Sequence, residues 1–141
     1  MHTNKLLVRL WIEFINKEDI EGLCAITADT WRMHSGLPGL PEGSAGVRKL
    51  FASFGPVKQR WKIEDIFAEG DKVVVRAVNH CRQESFFGIP SRGRDQVFTA
   101  IFIHRISDGR IQETWRNADD LGRVLQLGAH IVPALQEQEV S

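Results

Sequence analysis

The sequence predicts an α+β fold, on three observations. Helical stripes fill the chain up to Phe54, a period-two pattern takes over from Trp61, and tight glycine turns join successive strand-like segments. Helices that precede a run of antiparallel hairpins, instead of alternating with strands, define that class. At 141 residues the whole chain, 1–141, is expected to form a single domain, since one core typically serves ~100–200 residues.

Leu7, Leu10, Trp11 and Phe14 fall at i, i+3, i+4 and i+7, the stripe of an amphipathic helix that Asn16 ends. Asp19 is placed to cap a shorter helix with Ile20, Leu23 and Cys24 inside, and Trp31-Arg32-Met33-His34 reads as a brief strand. Between Ser35 and Gly43 the glycines and prolines make a loop. Ser44 then reads as an N-cap, and Val47, Leu50, Phe51 and Phe54 repeat the helical stripe until Gly55-Pro56 stops it.

Trp61, Ile63 and Phe67 alternate with Lys62 and Glu64, and Glu69-Gly70-Asp71 turns the chain into the apolar segment Lys72 to Val78. That is a hairpin. After a loop from Phe86 to Arg94, Val97 to Ile106 is apolar on both faces, as in a central strand covered on both sides. Ser107-Asp108-Gly109 makes a second turn into Arg110 to Asn117, and Leu121, Val124 and Leu125 suggest a closing helical turn before Gly128.

Composition narrows the function classes. Lys plus Arg and Asp plus Glu number 18 each, so the balance supports neither a nucleic acid nor a membrane as partner. Cys24 and Cys81 lack CxxC spacing and are expected to be buried thiols in a reducing cytoplasm. Arg9 and Glu13 interrupt the apolar N-terminal run, so the chain is expected to be soluble and unprocessed. No histidine pair has i, i+4 spacing, and no metal site is expected. The absence of tyrosine excludes any mechanism that needs a phenol.

The segment Arg110 to Asn117 carries the most information. Strict alternation puts Arg110, Gln112, Thr114 and Arg116 on one face and Ile111, Glu113, Trp115 and Asn117 on the other. Ile111 and Trp115 mark the second face as the inner one, which leaves Glu113 and Asn117 as polar groups in an apolar setting. Glu113 reads first as a structural ion pair, with Arg76 its expected partner. Asn117 either lines a pocket or closes backbone hydrogen bonds. Asp119 has two readings as well, a helix N-cap or a carboxylate entering a cavity for general-base work. Its neighbour Asp120 projects in a different direction, so one of the two can cap while the other faces inward.

The pattern Asp108-Gly109-Arg110-Ile111-Gln112-Glu113-Thr114-Trp115, followed by Asp119, Gly122 and Gln126-Leu127-Gly128, resembles the SnoaL-like polyketide cyclases. Phe87-Gly88-Ile89-Pro90 with Gly93-Arg94, and Glu64-Asp65-Ile66 with Glu69-Gly70-Asp71, are similar to the same family's central loop and hairpin. The resemblance implies a cone-shaped α+β barrel of the nuclear transport factor type, in which a curved antiparallel sheet packs against N-terminal helices and encloses a pocket. It implies dimerisation through the sheet and a hydrophobic or aromatic small-molecule ligand. It also implies cofactor-independent aldol ring closure, with Asp119 as the acid/base. Trp31, Phe51, Trp61 and Trp115 would form the apolar wall, with His34 as a pocket residue beside Glu113 and Asn117. The sequence departs from the family where Asn79-His80-Cys81-Arg82-Gln83-Glu84 replaces a Gly-Thr-His stretch, a role His80 would take over by a shift. Gly55-Pro56-Val57-Lys58 replaces a Pro-Asp element.

His104 is expected opposite Ile101 and Ile103, at a subunit contact or in solvent. Arg92 and Arg94 read as solvated loop charges. Two further readings use the same architecture, which by itself selects no function. One is a non-catalytic binding protein. The other is a different acid/base enzyme: an isomerase, a dehydratase or an epoxide hydrolase, the last needing an arginine between two acids, which Asp65, Arg76 and Asp119 match loosely.

Overall fold

The computed structural model describes residues 2–135 and bears out the α+β class. Helix α1 (His2–Asn16) is followed by α2 (Ile20–Ala25), strand β1 (Thr27–His34) and α3 (Gly43–Ser53). Strands β2 (Val57–Glu69), β3 (Lys72–Gln83), β4 (Ser85–Phe86), β5 (Ile89–Pro90), β6 (Gln96–Ser107) and β7 (Arg110–Ala118) come next, and α4 (Asp120–Gln126) closes the chain. A five-stranded sheet runs in the order β1-β7-β6-β3-β2, and β4 with β5 forms a small separate hairpin. The sheet is mixed where a purely antiparallel one was expected, because β1 joins β7 in parallel. It curves against the helices as in the nuclear transport factor type of fold. No helix among the described residues is long and apolar enough to cross a membrane.

The helices are anchored by specific side chains. Asn16 latches the end of α1 to β2 in both directions: its Nδ2 donates to the Trp61 carbonyl at 2.9 Å, and its Oδ1 accepts from the Trp61 amide at 2.6 Å. The buried stripe of α1 centres on Val8, Ile12 and Ile15, so Leu10, expected inside, lies partly in water. Asp19 caps α2 as expected, accepting from the Gly22 amide at 2.8 Å. Ser44 does not cap α3; the cap position is Glu42, without a side-chain bond. That helix packs so closely that a Cβ on Gly46 would meet the Pro41 carbonyl and lie 3.2 Å from the Trp31 ring.

Among the described residues, a β-bulge in each of two antiparallel pairs, β2–β3 and β6–β7, resets the alternation of the sheet. A bulge inserts one residue into one strand, and every later side chain then changes face. In β2 the register shifts between Ile63 and Asp65, which turns Phe67 outward to 58% exposure, whereas Ile66 and Ala68 pack on the core. In the β6–β7 pair Ile106 opposes Ile111 while Arg105 opposes Glu113, so Gln112 is the extra residue. Beyond it Thr114 is buried, whereas Glu113 and Asn117 lie on the other face and Asn117 is exposed. The inner face expected for β7 is therefore correct at Ile111 and reversed from Glu113 onward.

His104 is fully buried, contrary to the expectation of a surface or subunit contact. The Thr114 hydroxyl accepts from Trp31 Nε1 at 3.0 Å and shares a 2.8 Å hydrogen bond with His104 Nδ1. The Trp11 ring meets the imidazole edge-on at 4.3 Å, and His104 Nε2 has no hydrogen-bond partner among the described residues. Four elements, α1, β1, β6 and β7, thus meet at one buried imidazole. Burial pushes its pKa from 6.5 down to about 3, so the ring is neutral in the native state.

Between those two values the unfolded chain binds a proton that the folded chain refuses, and acid must favour unfolding. Stability is expected to fall from pH 6.5 toward 3 by roughly 1.4 kcal/mol per pH unit on account of this group. Denaturant unfolding across that range should show a shallower loss in His104→Asn than in the wild type; equal slopes would contradict a buried neutral imidazole.

Candidate functional site

A cavity of about 530 Å³ lies between the inner face of the sheet and the helices. Trp31, Phe51, Trp61, Phe98 and Phe102 supply most of its aromatic wall, and Phe86 and Phe87 of the β4–β5 hairpin stand at it. Trp31 and Trp61 therefore occupy the wall positions expected of them. Against this apolar surface stand three polar groups.

The first is on β2 and β3. Gln59 Oε1 accepts from Trp61 Nε1 at 3.2 Å and from Asn79 Nδ2 at 3.1 Å. Asn79 is only 2% exposed, and its Oδ1 has no partner among the described residues. A buried carbonyl without a donor costs about 1–3 kcal/mol, which a ligand donor would recover.

The second is the pair Arg116 and Asp120, joined by two parallel hydrogen bonds of 2.9 and 2.7 Å in the bidentate geometry that guanidinium and carboxylate favour. Asp120 is the only carboxylate lining the cavity among the described residues.

The third centres on Arg123, only 7% exposed. Its Nε donates to Gln96 Oε1 at 2.9 Å, and its Nη2 donates to Gln83 Oε1 and, at 3.5 Å, to Cys81 Sγ. The guanidinium lies over the Phe86 ring, 3.7 Å from its centroid, with Phe98 at 4.5 Å. All these partners are neutral. Burial lowers the Arg123 pKa and, as the larger effect, raises that of the Cys81 thiol, which therefore stays protonated. Gln96 turns its carbonyl to the cation even though its own Nε2 is left buried and without a partner among the described residues.

Asp119 stands elsewhere. It is exposed and caps α4, its Oδ1 accepting from the Gly122 amide at 2.9 Å. A Cβ on Gly122 would collide with that carboxylate, so the Asp119-to-Gly122 spacing is what a capped helix start requires. The cavity position belongs to Asp120. Glu113 accepts from His34 Nε2 and Arg105 Nε, each at 2.8 Å, and these two bonds hold its pKa below the ordinary value, His34 contributing most. The expected partner Arg76 instead pairs with Asp65 at 2.6 Å. His34 stacks on Trp115 at 5.0 Å, and neither ring lines the cavity. His80 and Asn117 are exposed on the outer face, because β3 buries Asn79, Cys81 and Gln83 and β7 has changed parity.

Asn79 and Gln83 were within reach of sequence reasoning, since they continue the inner register of Val73, Val75 and Ala77. Arg123 was not. It sits between Leu121 and Val124, where an apolar residue would be expected to face the core.

Residues 8–114 match the model of the SnoaL-like domain. The chain belongs to that family. The matched span ends before Asp119, so family membership rests on the helices and the sheet. TsrD from Streptomyces laurentii is a similar solved structure, with 28% identity and a TM-score of 0.78 over 92% of this chain and 97% of that one. IdmH from Streptomyces antibioticus, a candidate polyketide cyclase, has 27% identity and a TM-score of 0.71 over 89% and 99% of the two chains. An epoxide hydrolase of the LEH-like kind from M. tuberculosis shares the fold at 18% identity, with a TM-score of 0.71 over 89% and 90%. No curated protein matches the sequence at a significant level.

Asp119→Ala should lower folding stability by about 1 kcal/mol, whereas Asp119→Asn, which retains a capping oxygen, should cost almost nothing. Thermal unfolding of both variants tests this. Equal losses in the two would show that the charge, not the cap, is what the fold uses.

Proposed function

We propose that this SnoaL-like protein acts on a flat, largely apolar small molecule by cofactor-independent acid/base chemistry of the polyketide-cyclase type, with Asp120 as the proton-transfer group. One observation carries this reading: among the described residues, Asp120 alone brings a carboxylate to the wall of an aromatic cavity. In this mechanism the carboxylate takes a proton from carbon next to a substrate carbonyl, and conjugation spreads the resulting enolate. Attack of that carbon on a second carbonyl forms the ring bond, and the proton returns to the new alkoxide. Arg116 holds the carboxylate in place through both oxygens. The aromatic walls keep the chain folded with its reacting carbons close, which is where most of the advantage of such a site lies.

The geometry favours some acid/base chemistries over others. An arginine between two acids, as epoxide opening would need, is not supported, because Asp65 and Arg76 pair on exposed positions and Asp119 caps a helix. A binding protein without turnover is the second reading, favoured by the engagement of both Asp120 oxygens with Arg116. In either reading two copies pair through the outer face of the sheet, where Val97 and Ile101 are each 44% exposed, and Cys24 and Cys81 remain free thiols of a cytoplasmic protein.

Mass spectrometry of ligand retained on the purified protein would supply the compound for turnover assays. Asp120→Asn is expected to lose roughly 10²–10⁴-fold in turnover while still binding the compound, and Asp119→Asn to keep its activity. Full turnover in Asp120→Asn would remove the proposed base. A compound retained but never converted by the wild type would establish the binding-protein reading.

A further inference from the structure

We infer that the α4 end of the cavity is an anion-binding subsite in which Arg123 receives a carboxylate or similar oxyanion carried on an aromatic ligand. The inference deepens the proposed function and rests on its premise that the cavity is the ligand site. Arg123 is nearly all buried, yet no carboxylate lies within hydrogen-bonding distance of it among the described residues. Buried charges are ordinarily paired, since an unpaired one carries a large desolvation cost. Its neighbours are two glutamine carbonyls, a thiol and two phenyl faces, each of which stabilises a cation without neutralising it.

The charge of the wall points the same way. Its charged side chains are Arg116, Asp120 and Arg123, and since Arg116 and Asp120 offset each other, one positive charge remains. Nε and Nη2 of Arg123 are occupied by protein acceptors, whereas Nη1 makes no hydrogen bond among the described residues and is not a sealed buried atom. That leaves one edge of a guanidinium, rigidly held by stacking and by two glutamines, for an acceptor from the cavity. Phe86 and Phe98, which hold the cation, are also cavity wall, so the ring system of a bound aromatic acid would continue their surface.

The unpaired Asn79 Oδ1 adds a second requirement. Asn79 lies two residues before Cys81 on β3, about 7 Å along the strand, with its side chain on the same face. A ligand hydroxyl or N–H reaching along the wall from Arg123 toward Asn79 would satisfy the carbonyl. The subsite thus fits an aromatic acid that carries a hydrogen-bond donor some way around the ring system.

The test uses the full chain and compares acids with their neutral isosteres. Tryptophan fluorescence, reported by Trp31 and Trp61 in the wall, would follow titration at neutral pH with benzoate, 2-naphthoate and 2-anthroate, each against its primary amide. Roughly 10-fold or greater preference for the carboxylate is expected, in line with one charge-assisted hydrogen bond. Arg123→Gln and Arg123→Met should reduce the preference to roughly 2-fold or less, acid affinity falling more than amide affinity, and either variant suffices if the other fails to fold. Equal binding of acid and amide by the wild type, or a preference that survives loss of Arg123, overturns the subsite and leaves the cavity reading intact. Binding of none of the six compounds overturns both.

Discussion

One extra residue in β7 determines what this protein presents to its cavity. Gln112 has no partner of its own opposite Ile106, and the parity change it introduces turns Thr114 and Arg116 inward. Thr114 can then tie Trp31 to His104 in the core, and Arg116 can reach Asp120. The same change sends Glu113 and Trp115 to the outer face, where the Glu113 carboxylate accepts hydrogen bonds from His34 and Arg105. Without the bulge, strict alternation would put Glu113 inside and leave Arg116 in water. Bulges can re-aim side chains near functional sites, as this one does.

The adjacent aspartates divide two tasks that compete for one position. Asp119 fixes the start of α4 by capping, with Gly122 supplying both the amide and the space. Once the start is fixed, Asp120 and Arg123 are three residues apart and share a helix face, which is the face at the cavity. Asp119 is therefore a positioning residue: it touches no cavity space, yet it determines where two charged groups point. A short helix gains little stability from its own hydrogen bonds, so such a cap matters more here than it would in a longer one. Gln126 adds a second clamp, bonding the Val97 amide and carbonyl at the edge of β6.

The fold was legible in the sequence because its elements have strong periods and clear punctuation. The α1 stripe, the Asp19 cap, the Gly70-Asp71 and Asp108-Gly109 turns and the long strands between them all stand as the spacing predicts, apart from small shifts such as the rotated stripe of α1. The site was legible only in part. Trp31 and Trp61 were found because large aromatics on inner strand positions have few other places to go. Glu113, Trp115 and Asn117 were misplaced because a bulge leaves no mark in a run such as Ile111-Gln112-Glu113, where either register is chemically acceptable. Which of Asp119 and Asp120 enters the cavity depends on the backbone at one helix start, a detail that composition cannot carry.

The stretch from Asn79 to Glu84, which the resemblance marks for pocket chemistry at His80, supplies two of the partners of Arg123. Cys81 and Gln83 both contact the guanidinium, and Asn79 presents the unpaired carbonyl further along the same strand. His80, the one residue there with obvious chemistry, faces away. Aromatic walls give affinity for many flat molecules and discriminate weakly among them, whereas a buried polar group left unpaired by the wrong ligand discriminates strongly. If the cavity takes the proposed anionic ligand, the neutral residues Asn79, Cys81 and Gln83 would bear on ligand choice, because Cys81 and Gln83 set the environment of a single buried cation and Asn79 presents a carbonyl on the same strand face.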